Sequence, residues 1–302
     1  MAKKNFLFNT ICSVCVTFFI FLASAPLITL AIPTTQFIQL APISSNSQLV
    51  EKENLTAVLP ETNTDLSIGI NNEPEYDMFT YSERQERNLP TGLPATDPYY
   101  GNKIIYLTFD DGPDPENTPI ILDILKENSI KATFFVLGTE VLKYPDILKR
   151  IYDEGHAIGN HSYNHIYREL YQSANTYTEQ LHHTDEIIKN VLSVRPHISR
   201  APGGSAGSFT KHYWDILKTQ GYIEVGWNIS SGDASNAKAD QILSNIIHQT
   251  KNNNFLWSHA ILLMHDGKGH TETVKALPHI ITFYKEQGFD FHVINSKTPS
   301  AW

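Results

Sequence analysis

From residue 101 onward the chain alternates short apolar runs with stretches of helical periodicity. The apolar runs predict seven strands, at 103–111, 132–138, 156–161, 198–202, 222–229, 261–265 and 289–295. Helical patterns fill the gaps at 117–128, 140–154, 175–193, 208–220, 237–252 and 271–286. Gly221 and Gly288 fall just past the ends of two of them, where a helix commonly stops on glycine. A helix in every gap between strands argues for parallel strands in an α/β fold. Some 200 residues suffice for a barrel short of eight units or for an open sheet. In either topology, ligands gather at the carboxyl ends of the strands.

The first hundred residues have a different texture. Lys3 and Lys4 precede a stretch, residues 5–50, without a single Asp, Glu, Lys or Arg. The mostly apolar part of it ends near Ile32, and a core helix would show a polar face where this run shows none. It predicts a secretory signal or an N-terminal membrane anchor at 1–32, with the rest of the chain outside the membrane. Ala23-Ser24-Ala25 has the form of a cleavage site, although Pro26 directly after it is unfavourable; Leu30-Ala31 is a weaker second site. Both cysteines, Cys12 and Cys15, lie in this segment, so the remainder can form neither disulfides nor Cys-ligated metal sites. Residues 33–98 are rich in Asn, Ser, Thr, Pro and Glu and follow no sustained period. They read as an acidic, low-order linker, with a small accessory domain around Phe79, Tyr81 and Leu89 as the alternative. The folded α/β unit is expected at 99–302. A net charge of −9 with no basic stripe argues against nucleic acid as a partner.

Chemistry-bearing residues cluster at the predicted strand ends. Thr108-Phe-Asp-Asp-Gly-Pro113 closes the first strand with two adjacent carboxylates, Asp110 and Asp111. Such a pair is costly to bury unless a cation compensates, so a metal would take one and chemistry the other; a simple exposed turn is the alternative. His161-Ser-Tyr-Asn-His165 follows the third strand, and histidines four apart share one face of a helical turn. One carboxylate with two imidazoles suits a divalent metal with open positions. Arg200-Ala-Pro-Gly-Gly204 follows the fourth strand, and its arginine can pair with the carboxylate the metal leaves free. Asp233 and His265, after the fifth and sixth, make an acid with an orienting carboxylate. His182 and His183 read as solvated, and His270, His279 and His292 as structural or surface residues.

Taken together, these motifs make residues 103–296 resemble the catalytic domain of polysaccharide deacetylases, the NodB-homology group of carbohydrate esterases. The resemblance implies a distorted (β/α) barrel of about seven parallel strands. It implies Asp110 as general base and Asp111, His161 and His165 as ligands of a divalent metal, zinc foremost, with cobalt or nickel able to substitute. Arg200 would brace Asp110, Asp233 would orient His265 as general acid, Gly203 would offer a backbone N–H to the oxyanion, and Leu263 would line the acetyl pocket. Two departures stand out. Gly203 occupies a position where many members carry Tyr, and Ser230 and Ala234 stand where an Asp and a Trp are common. The expected activity is N-deacetylation of a cell-wall glycan, peptidoglycan N-acetylglucosamine foremost. Chitin oligomers, poly-N-acetylglucosamine or acetylxylan are alternatives, and a non-catalytic wall-binding protein is a remote one. The enzyme is expected outside the cell, as a monomer whose only membrane contact is residues 1–32.

Overall fold

The computed structural model describes residues 66–67 and 71–301. The signal-or-anchor segment 1–32 and most of the expected linker lie outside the described residues. In chain order the elements are β1 (Tyr76–Asp77), α1 (Tyr81–Glu86), β2 (Ile104–Asp110), α2 (Thr118–Glu127), β3 (Thr133–Val136), α3 (Gly138–Lys143), α4 (Pro145–Asp153), β4 (Ala157–Asn160), α5 (Tyr167–Leu170) and α6 (Ala174–Leu192). They continue with β5 (Arg195–Pro196), β6 (Ile198–Ser199), α7 (Lys211–Thr219), β7 (Ile223–Glu224), β8 (Ile229–Ser230), α8 (Ala239–Asn252), β9 (Ala260–His265), α9 (Thr271–Glu286) and β10 (Asp290–His292).

The main sheet is parallel throughout, in the order β7-β6-β4-β3-β2-β9-β8, with β10 pairing the first residues of β2. It curls into an incomplete barrel, the architecture expected from the sequence. Alternation along β2 explains why. Ile105, Leu107 and Phe109 belong to the large core that includes residues of α2, α8 and α9, whereas Ile104 and Tyr106 join a second core with Phe135, Ala157, Ile198, Val225 and Ile261. Both faces of the strand are therefore apolar and buried, as a parallel sheet with covered faces requires.

Three expectations change. The run 222–229 is two short strands, β7 and β8, at opposite ends of the sheet order. Residues 225–228 link the two edges, so the barrel is joined there by the chain and not by a strand ladder. The predicted helix 140–154 divides at Tyr144, because Pro145 starts α4 and has no N–H to continue α3. Residues 71–98, assigned by the sequence to the linker, contribute β1 and α1, and β1 pairs antiparallel with β5.

An ion network fixes that segment. Asp77 accepts from Arg84 Nε at 2.6 Å and from Arg195 Nη2 at 3.1 Å, and all three side chains are buried. Burial alone would raise the Asp77 pKa, but the two guanidinium groups outweigh it and hold the carboxyl below its ordinary value. Among the described residues no helix is long and apolar enough to cross a membrane. Replacing Asp77 by Ala would take from Arg84 and Arg195 the buried carboxylate they share, leaving Arg195 with Asp185. The unfolding free energy should fall by about 3–5 kcal/mol, measured by chemical denaturation.

Candidate active site

Asp110 is the last residue of β2, facing the barrel interior, in register with His265 on β9 and Phe135 on β3. Its Oδ1 accepts 2.9 Å from Arg200 Nη1. Arg200 follows β6 and is wholly buried, and its Nε, Nη1 and Nη2 all donate hydrogen bonds. Nη1 also donates to Thr108 Oγ1 at 2.6 Å, Nε to the Val225 carbonyl at 3.0 Å and Nη2 to the Gly226 carbonyl at 3.1 Å. Its guanidinium lies 4.1 Å from the Phe135 ring centroid. The arginine thus ties Asp110 to the chain segment that joins the two sheet edges.

Asp111 points elsewhere. Its backbone is left-handed, φ 75°, which turns the side chain away from the strand direction. Gly112 follows because a Cβ there would lie 2.2 Å from Asp266 Oδ2. Asp111 Oδ1 lies 3.5 Å from His161 Nε2 and 3.5 Å from His165 Nε2, is buried, and has no hydrogen-bond partner. His161 Nδ1 is 2.8 Å from the Arg200 carbonyl. A carbonyl only accepts, so Nδ1 carries the proton and Nε2 presents its lone pair toward Asp111. Burial holds His161 below the ordinary imidazole pKa despite nearby Asp110 and Asp111, which keeps it in the neutral form that binds metals.

The two imidazoles do not share a helical turn, as their spacing suggested. Residues 161–166 form a loop with two left-handed residues, Ser162 at φ 77° and His165 at φ 59°. Ser162 Oγ accepts from the His165 N–H at 3.2 Å, and Ser162 N donates to Asn160 Oδ1 at 3.0 Å. An orphaned buried carboxylate oxygen facing two imidazole nitrogens is a donor set suited to a divalent cation, so Asp111, His161 and His165 fit the predicted metal.

Across the register from Asp110, His265 Nδ1 meets Asp233 Oδ1 at 2.9 Å, while the His265 backbone N–H donates to Asp233 Oδ2 at 2.8 Å. Ser231 Oγ and Thr273 Oγ1 donate to the same carboxylate. Burial would raise the Asp233 pKa, yet these donors and the charge on His265 hold it at about 2. Burial likewise opposes a charged His265, but Asp233, with smaller contributions from Asp110 and Asp111, raises it to about 9. At neutral pH His265 is an imidazolium whose Nδ1 proton is committed to Asp233, leaving Nε2–H to be given. His270 stacks on His265 with ring centroids 4.9 Å apart, although its sequence suggested a structural or surface role.

Gly203 sits in the turn 201–204, closed by the Gly204 N–H to the Ala201 carbonyl at 2.8 Å and held by Tyr171 Oη on the Pro202 carbonyl at 2.6 Å. The Gly203 N–H has no hydrogen-bond partner among the described residues. Leu263 lies on β9 two residues before His265, opposite Ser230 and Thr108. Ala234 is exposed, and the Ser230 backbone is clasped by the Gln249 amide at 3.0 and 2.7 Å. A cavity of about 760 Å³ opens beside Gly203 and is walled by Phe209, Trp214 and Trp227. His182, expected to be solvated, stacks on Tyr81 at 4.8 Å. Sequence reasoning missed His270 and Tyr167; an aromatic residue two positions after His165 was the available signal for the latter.

With this geometry in hand, comparison with known proteins is informative. Residues 98–225 match the family model for polysaccharide deacetylase. A peptidoglycan-N-acetylglucosamine deacetylase of Bacillus cereus is 36% identical over 199 residues, spanning 65% of this chain and 69% of the relative. A chitooligosaccharide deacetylase of Bradyrhizobium is 31% identical, spanning 64% of this chain and 89% of its own. The solved catalytic domain of a peptidoglycan N-acetylglucosamine deacetylase from Eubacterium rectale superposes with a TM-score of 0.62 at 31% identity, covering 68% of this chain and 96% of that one.

The His265–Asp233 pair makes a pH-dependent contribution whose sign is defined. The folded pKa of His265 exceeds the ordinary value of about 6.5, so the pair stabilises the fold fully below that value. The contribution is lost as pH rises through about 9. In metal-free protein, NMR titration should place His265 near 9, and Asp233→Asn should lower it clearly, because burial is then opposed only by the smaller influence of Asp110 and Asp111.

Proposed function

Given that the chain belongs to the polysaccharide deacetylase family, we propose that it hydrolyses N-acetyl groups of N-acetylglucosamine in a cell-wall glycan, releasing acetate. Peptidoglycan is the polymer favoured by the relatives just described. The observation that carries the reading is the division of the two adjacent carboxylates. Asp110 is clamped by Arg200, while Asp111 turns an unpartnered oxygen toward two imidazoles.

Asp111, His161 and His165 would hold the metal, zinc by preference for this nitrogen-and-oxygen set. Bound there, a divalent ion would polarise the acetyl carbonyl and acidify a water molecule. The remaining steps belong to the chain. Asp110, fixed by Arg200, accepts a proton from the attacking water. The free Gly203 N–H donates to the carbonyl oxygen as it gains negative charge. The C–N bond breaks as His265 Nε2 delivers its proton to the departing nitrogen, because an amide nitrogen does not leave as an anion. Asp233 holds His265 protonated and aimed, and Leu263 supplies an apolar wall for the acetyl methyl. The products are acetate and a glucosamine-type amine; Asp110 then releases its proton to solvent and His265 takes one up, which restores both groups. The aromatic cavity beside Gly203 offers Trp and Phe rings on which sugar faces can pack. A cell-wall substrate also requires the catalytic unit to be exported, in keeping with the N-terminal sequence.

Deacetylation of chitin oligomers is the second reading, favoured by the chitooligosaccharide deacetylase among the relatives. Acetate release from peptidoglycan, chitin oligomers, poly-N-acetylglucosamine and acetylxylan separates the alternatives. The N-acetylated glycans should be turned over, with peptidoglycan the best. Activity should fall to background with chelator and return on adding Zn²⁺; chelator-insensitive release would sink the metal assignment. His265→Ala should lower kcat by about 10²–10⁴.

A further inference from the structure

Tyr167 is the first residue of α5, two positions after His165, and 52% of its surface is exposed. Its ring stands edge-on to His165, with centroids 5.2 Å apart at 87°. Behind it Tyr171, 6.0 Å away, anchors the same turn by donating to the Pro202 carbonyl. The Tyr167 hydroxyl hangs over Gly203. A Cβ at position 203 would lie 2.7 Å from Tyr167 Oη and 2.9 Å from Cε1. Glycine is needed there twice over, for its φ of 72° and because any side chain would push the phenol away. Among the described residues nothing hydrogen-bonds the Tyr167 hydroxyl. The Tyr167 hydroxyl thus lies against the Gly203 backbone, whose N–H is also without a partner among the described residues, while the same ring packs on His165 of the Asp111–His161–His165 cluster.

We propose that Tyr167 is a catalytic residue whose hydroxyl, together with the Gly203 N–H, donates a hydrogen bond to the oxyanion formed during deacetylation. The proposal rests on the N-deacetylase reading and deepens it. The alternatives are defined by the same geometry. If Tyr167 only buttresses His165, its ring suffices; if it only grips the sugar, the hydroxyl acts equally before and during reaction. An oxyanion donor differs from both, because its bond strengthens as charge develops. The ring contacts on His165 and the Gly203 turn hold the hydroxyl in place before substrate arrives.

Tyr167→Phe keeps the ring and removes only the hydroxyl, so it separates these roles. With rates expressed per bound metal, kcat on an N-acetylglucosamine oligomer should fall at least about tenfold while KM stays within about twofold. A tetrahedral methylphosphonamidate analogue of N-acetylglucosamine should bind at least about tenfold more weakly to the variant by calorimetry, whereas the product amine should bind both proteins alike. An unchanged kcat, or a loss confined to KM, would overturn the proposal. Wild-type protein that releases no acetate from any N-acetylated glycan would instead overturn the deacetylase reading itself.

Discussion

The Arg200 guanidinium is the constraint from which the site follows. A buried cation with no counter-charge would be prohibitively costly, and Asp110 is the anion it meets. Its other donors end on the carbonyls of Val225 and Gly226, in the segment linking the two edges of the sheet. One side chain thus fixes the Asp110 carboxylate and the joint of the barrel together. Its own backbone carbonyl sets the tautomer of His161, so the metal cluster is aligned from the same residue.

The division of labour between Asp110 and Asp111 follows. Two neighbouring carboxylates repel, a cost on the order of a few kcal/mol at close range and an intermediate effective dielectric. The chain relieves that by sending them to different partners. Asp110 continues the inward alternation of β2 toward Arg200, while the left-handed backbone at Asp111 turns the next carboxylate toward the imidazoles of His161 and His165. The third charged centre, His265, is kept cationic by Asp233 from the opposite side of the rim. The proposed base, metal donors and acid are in this way supplied from the end of β2, the loop after β4, and the end of β9.

Much of this was legible in the sequence because it rests on local patterns. Apolar runs and helical periods located most elements, and all five motifs do lie at strand ends. What was not legible depends on contacts distant in the chain. The run 222–229 reads as one strand, yet its halves pair with β6 and β9 on opposite edges, which no local period reveals. The histidine pair meets through left-handed backbone at Ser162 and His165, whereas spacing alone suggested a helical turn. Residues 76–86 look like linker because their composition is polar; their order comes from Asp77 meeting Arg195, more than a hundred residues away. Tyr167 escaped notice because its place over Gly203, 36 residues on in the chain, is a contact that no local pattern reveals.

The central claim, that neighbouring carboxylates hold separate offices, is tested most directly by metal stoichiometry in Asp110→Asn and Asp111→Asn, measured by calorimetry with Zn²⁺ alongside acetate release. Asp110→Asn should bind one equivalent with near wild-type affinity yet turn over no substrate. Asp111→Asn should lose tight binding. If both variants bind alike, or if Asp110→Asn loses the metal while Asp111→Asn keeps it, the assignment is contradicted.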